Sequence, residues 1–154
     1  MEYLRDLRQA HQMSFVLHSA FMATLVIYAV IVEILRGSLQ DFRGFIENID
    51  LTWIRYIFYA LGLAQIFLIR LMRETLSKSM NSRNVRDLIA HLNRISVLSS
   101  ALCEVPAFLG LVFFFIGSST REFYVFTFIS VVLFILYFPR YSNWEEWIKT
   151  RTNL

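Results

Sequence analysis

Glu104 is a carboxylate inside an otherwise apolar run, Ala101-Leu102-Cys103-Glu104-Val105-Pro106-Ala107, and a carboxyl group so placed has two uses. It can take up a proton or bind a cation within the membrane, or it can hydrogen-bond a neighbouring helix and hold the bundle together. In either use it must face protein or a water-filled crevice, because an ionised carboxylate in hydrocarbon is costly. Glu33 carries less information: it stands at the outer end of an apolar segment beside Arg36, where an interfacial ion pair accounts for it. His11, His18 and His91 invite a haem or metal reading. Their expected depths differ, however, and none has a second histidine and a carboxylate at ligand spacing, so no cofactor and no metal is expected. Cys103 is the single cysteine, which excludes an intramolecular disulfide. No nucleophile–base pair, phosphate loop or dinucleotide fingerprint occurs, and the chain is not expected to be an enzyme.

The elements that must position these groups are apolar and long. Stretches at 14–35, 53–71, 95–116 and 123–138 are nearly free of charge. A bilayer core takes about 20 residues as helix, and peptide groups in lipid must close their own hydrogen bonds. The expected fold class is therefore an all-α integral membrane protein, with four transmembrane helices as two hairpins plus short amphipathic interfacial helices. Hydrophobic residues make up 56% of the 154, above the share of about 45–50% usual in soluble domains, and no separate soluble domain is expected. Met1 to Gln12 is charged and no small-residue cleavage site follows the first apolar run, so no cleavable leader is expected.

The net charge of +3 belongs to membrane orientation rather than to nucleic acid, which is not an expected partner. Arg5, Arg8, Arg70, Arg73, Lys78, Arg83, Arg86, Arg94, Arg140, Lys149 and Arg151 fall on one side of the spans, against Arg36, Arg43, Arg55 and Arg121 on the other. The positive-inside rule then puts both termini and the central connection in the cytoplasm, with the chain multi-pass in a plasma (inner) membrane.

Three amphipathic pieces lie between or after the spans. In the segment 84–94, Val85, Leu88, Ile89 and Leu92 recur at helical spacing with Asn84 placed to cap, which predicts a cytoplasmic helix leading into span three. Phe42, Phe45, Ile46 and Ile49 predict an outer interfacial segment. After span four, Pro139 stops the helix, and the Ser142–Glu145 capping-box spacing predicts an interfacial helix over 142–150. Trp53, Trp144 and Trp147 are expected to be anchors at the membrane interface. On span three, Ala101, Ala107 and Gly110 set little bulk on one side, so another helix can approach closely there, and copies of the chain that self-associate should meet at it.

A weak repeat relates Val16, Leu17, Ser19 and Ala20 to Val97, Leu98, Ser100 and Ala101, and spans of one direction would make it a parallel repeat. The run from Ala101 to Val112 resembles the carboxylate-bearing second helix of the proteolipid c subunit of rotary ATP synthases and V-type ATPases. Small and apolar residues precede the acid in that family, and Ala and a Gly-Leu-Val-like stretch follow it. Here Ala101, Leu102, Glu104, Ala107, Gly110, Leu111 and Val112 match, and Ala60-Leu61-Gly62-Leu63-Ala64 is similar to the small-residue helix before it. The resemblance covers one helical hairpin and implies proton or cation translocation through Glu104. From the residues themselves, the expected function is a non-catalytic structural or accessory subunit of a larger membrane complex. Its partners would be the lipid bilayer and other membrane-protein subunits or copies of itself.

Overall fold

A computed structural model describes residues 2–38, 44–45, 51–79, 84–117 and 119–152. Helices α1 (Glu2–Ser38), α2 (Leu51–Ser79), α3 (Val85–Gly117), α4 (Thr120–Leu136) and α5 (Tyr141–Thr152) account for nearly all of them, and no strand occurs among them. Three helices, α1, α2 and α3, are long and apolar enough to cross a membrane, and a fourth crossing is added if α4 and α5, bent by 50° at their junction, form one span. At 1.5 Å per residue the 37 residues of α1 reach about 55 Å, well beyond the hydrocarbon thickness of about 30 Å. The charged N-terminal residues therefore continue the apolar 14–35 stretch as one helix longer than a crossing needs. In the same way α3 joins the 84–94 segment to span three without a break. Asn84 caps it, its Oδ1 accepting the Arg86 amide at 3.2 Å.

The directions of the helices follow from which residues meet. Ser14 with Asn93, His18 with Ser100 and Thr24 with Glu104 run in the same order along α1 and α3, so these two helices are parallel. Ala107 meets Ser130 while Gly110 meets Phe126, so α3 and α4 are antiparallel. Gln65 meets Leu102 and His91 meets Leu76, which sets α2 antiparallel to α3. The result is an up-down-up-down order with α3 in the middle. Among the described residues α1 and α2 do not pack on each other, so of the two expected hairpins only α3–α4 is a packed pair.

The core has three storeys. Leu7, Ile89, Trp144 and Ile148 fill one end, Leu25, Ile69, Cys103, Ala107, Leu133 and Phe134 the middle, and Val32, Leu111, Phe114 and Phe123 the other end. Trp144, expected as an interface anchor, is only 6% exposed and packs α5 against α1 and α3. Trp147 is partly buried beside it, and Trp53 is exposed. α5 begins at Tyr141, so Ser142 lies within its first turn and Glu145 pairs with Lys149 at 2.7 Å instead of completing a capping box.

The expected outer interfacial segment lies largely outside the described residues. Gly44 and Phe45 are described, and they tie that connection to the end of α3. The Phe45 amide donates to the Phe115 carbonyl at 2.8 Å, which a helix end leaves without an internal partner. Gly44 takes φ +87°, and a Cβ there would meet the backbone of Ile116, so both conformation and space call for glycine.

Candidate functional site: the Glu104–Pro106 break in α3

Pro106 lies inside α3, has no amide hydrogen and clashes with the carbonyl four residues back, so the helix cannot close its own hydrogen bonds here. The carbonyl left without a donor is that of Leu102, and the Gln65 side chain of α2 donates its Nε2 hydrogen to it at 3.0 Å. On the other side of the break the Ala107 amide donates to Ser130 Oγ of α4 at 2.8 Å. Neighbouring helices thus re-satisfy the backbone groups that the proline break opens. Gln65 and Ser130 are both buried, so these bonds are sheltered from competing water.

Glu104 stands two residues before the proline and is served by α1. The Thr24 hydroxyl lies 2.7 Å and the Tyr28 hydroxyl 2.5 Å from the same oxygen, Oε1. Thr24 also reaches the Phe21 carbonyl at 2.6 Å, so its single hydrogen has a second acceptor within α1. Three of the helices packed on α3 therefore converge on one of its turns: α1 on the carboxyl, α2 and α4 on the backbone that Pro106 opens. Chemically this is an interhelical junction in which Glu104 Oε1, the Leu102 carbonyl and the Ala107 amide each have a partner on another helix.

Below the junction, His18 is fully buried and its Nδ1 lies 2.8 Å from Ser100 Oγ. Its Nε2 lies 3.2 Å from the Phe134 carbonyl, and because a carbonyl only accepts, that nitrogen carries the hydrogen. The other two histidines do the same. His11 Nε2 donates to the Pro139 carbonyl at 2.9 Å and His91 Nε2 to the Leu76 carbonyl at 2.8 Å. Phe134 and Leu76 lie in the last turns of α4 and α2, and Pro139 lies in the bend before α5, where carbonyls have no partner along the chain. The histidines are thus helix-end donors, and no group of three metal-ligating side chains occurs among the described residues.

The small residues of span three are also placed. Ala107 is fully buried, Gly110 lies against Phe123 and Phe126 of α4, and Ala101 is half-buried. The close neighbour on this side is α4 of the same chain, so the side expected to receive another copy at Gly110 is already covered. At the far end, Glu33 accepts from the Tyr124 hydroxyl at 2.5 Å besides facing Arg36 at 3.7 Å.

Sequence reasoning missed Thr24, Tyr28, Gln65, Ser130 and Glu122. Glu122 is 5% exposed, accepts from the Tyr59 hydroxyl and pairs with Arg55 Nε at 3.2 Å, joining α2 to α4. Two signals were available: a proline in a span leaves the carbonyl four residues earlier open, and a lone amide such as Gln65 in an apolar span needs a partner. Compared with protein families, curated proteins and solved structures, the chain has no match.

Proposed function

We propose that this chain is a multi-pass protein of the plasma (inner) membrane, with both termini in the cytoplasm, and that it serves as a non-catalytic structural or accessory subunit of a larger membrane complex. The observation that carries this reading is the convergence of Thr24, Tyr28, Gln65 and Ser130, from three other helices, on the Glu104–Pro106 turn, where each holds α3 by a hydrogen bond. The surface supports it too. α2 touches the bundle along one strip through Gly62, Gln65 and Ile69, and its other sides expose Tyr56, Ile57, Leu63, Phe67 and Leu71 to lipid or to partner helices.

Purification of the full chain in mild detergent tests the proposal. Foreign membrane proteins should accompany it in fixed stoichiometry, whereas a lone 18.2 kDa chain carrying only lipid would sink it. Orientation has its own test. A reporter active only in the cytoplasm should work when fused after Leu154 and fail when inserted near Gly37 or Ser118, and a periplasmic reporter working at Leu154 would reverse the topology.

One observation favours a second reading, proton or cation movement. Ser14–Asn93, His18–Ser100 and Thr24–Glu104 place polar pairs at successive levels of the α1–α3 seam, which is an arrangement that could pass a proton. Copies of the chain alone in the purified material would favour this reading over the first.

A further inference from the structure

At the end of the bundle that holds the start of α3 and the α4–α5 bend, a cavity of about 380 Å³ opens between α2, α3 and α5. It shares no lining residue with the Glu104–Pro106 junction. Its polar lining comprises Arg73 of α2, Ser96 and Ser99 of α3 and Asn143 of α5, and its aromatic wall includes Tyr137 and Trp147. The Arg73 guanidinium lies 5.1 Å from the centre of the Tyr137 ring, and among the described residues no carboxylate pairs with it. Glu74 also borders the cavity, but its carboxylate is engaged by Arg70 at 3.1 Å. Ser99 is 2% exposed and its hydroxyl has no hydrogen-bond partner, although a buried hydroxyl left without one is costly. The first turn of α5, whose amides have no acceptor within the helix, supplies Asn143 and the edge of Trp144.

A cation, a spare buried hydroxyl, an amide and a helix N-terminus around one cavity are the groups that bind an oxyanion. Aromatic side chains at the same depth suit the region where lipid headgroups lie. We infer that this cavity binds a phosphate-ester anion, supplied by an anionic phospholipid whose headgroup enters between α2 and α5 while its acyl chains lie along the exposed apolar face of α2. Arg73 meets the charge, Ser99 donates its free hydroxyl and Trp147 flanks the headgroup. The inference rests on the membrane placement of the chain and is independent of whether other subunits bind it.

The test uses the full chain in mild detergent, in a Trp53→Phe background so that fluorescence reports Trp144 and Trp147. Phosphatidylglycerol should change the fluorescence saturably, and phosphatidylcholine with the same acyl chains should do so more weakly. Arg73→Gln should weaken phosphatidylglycerol binding about tenfold, the scale of one lost charge-assisted hydrogen bond, and Arg73→Lys should restore part of it. Ser99→Ala removes a buried hydroxyl that has no partner in the fold, so it should leave the unfolding temperature no lower than wild type and still weaken binding. Equal responses to the two lipids, or wild-type affinity in both Arg73→Gln and Ser99→Ala, overturns the site. Soluble glycerol phosphate distinguishes the source: if it fails to displace the lipid, the headgroup is the ligand, and if it binds equally well in an Arg73-dependent way, the phosphate site stands and the lipid assignment falls.

Discussion

Gly110→Ala should destabilise the bundle by about 1–3 kcal/mol, and Gly110→Leu should prevent the native α3–α4 packing, because the site is overpacked by any side chain. A Cβ at position 110 would stand 2.7 Å from Phe126 Cβ, 3.2 Å from the Phe123 carbonyl oxygen and 3.3 Å from Phe123 Cα. Two of these are backbone atoms of α4, so relief requires moving a helix rather than turning a side chain. Two other glycines calibrate the expectation. At Gly62 the nearest atom is Phe126 Cε1 at 3.2 Å, the far end of a ring, so alanine there should cost less. At Gly37 nothing lies within 4 Å, and alanine should be neutral or slightly stabilising. Unfolding of the three alanine variants in detergent, followed by helicity, should give the order Gly110, Gly62, Gly37 in decreasing damage. A Gly110→Ala protein as stable as Gly37→Ala would mean that α4 does not approach α3 as closely as found.

The same position explains what the sequence could and could not convey. Apolar length and charge spacing are local properties, so the helices were readable within a turn or two at most ends, and so was the join between 84–94 and span three. The small residues on α3 announced a close helix–helix contact but not its partner, since Gly110 accepts α4 of this chain as readily as a copy. The packing of Trp144 was not legible for a related reason: a tryptophan beside a charged, amphipathic stretch has the same sequence signature whether or not it also packs on Leu7 and Ile89. The junction at Pro106 was half legible. Proline at 106 dictates an open carbonyl at 102, but only the fold says that Gln65 fills it. The weak repeat between spans one and three gains a physical counterpart, because α1 and α3 are parallel and His18 and Ser100 meet at nearly the sequence separation of the matched residues.

Glu104 decides between glue and proton carrier, and its geometry makes the two outcomes distinct. Both hydroxyls from α1 converge on one oxygen, so the carbonyl oxygen of a glutamine can accept from Thr24 and Tyr28 alike. Glu104→Gln should therefore unfold in detergent within about 0.5 kcal/mol of wild type, the range of substitutions that keep their contacts. Glu104→Leu leaves the Tyr28 hydroxyl without its acceptor, while Thr24 can still turn to the Phe21 carbonyl. That variant should lose about 1 kcal/mol, the scale of an interhelical hydrogen bond in lipid. Removing the stranded hydroxyl with Tyr28→Phe should recover part of the loss, because a double-mutant pair lacking both partners leaves nothing unsatisfied. These stability effects are expected under either reading, so flux separates them. In proteoliposomes with an imposed potential, the structural reading expects no proton uptake above that of protein-free vesicles and no difference between wild type and Glu104→Gln. A proton carrier would acidify the vesicles as wild type and lose that uptake in Glu104→Gln at unchanged stability. It would also be inactivated by a hydrophobic carbodiimide at this carboxyl. We expect the silent outcome, since two hydroxyls already hold the carboxyl oxygen to α1, and a stable but flux-dead Glu104→Gln beside an active wild type would reverse it.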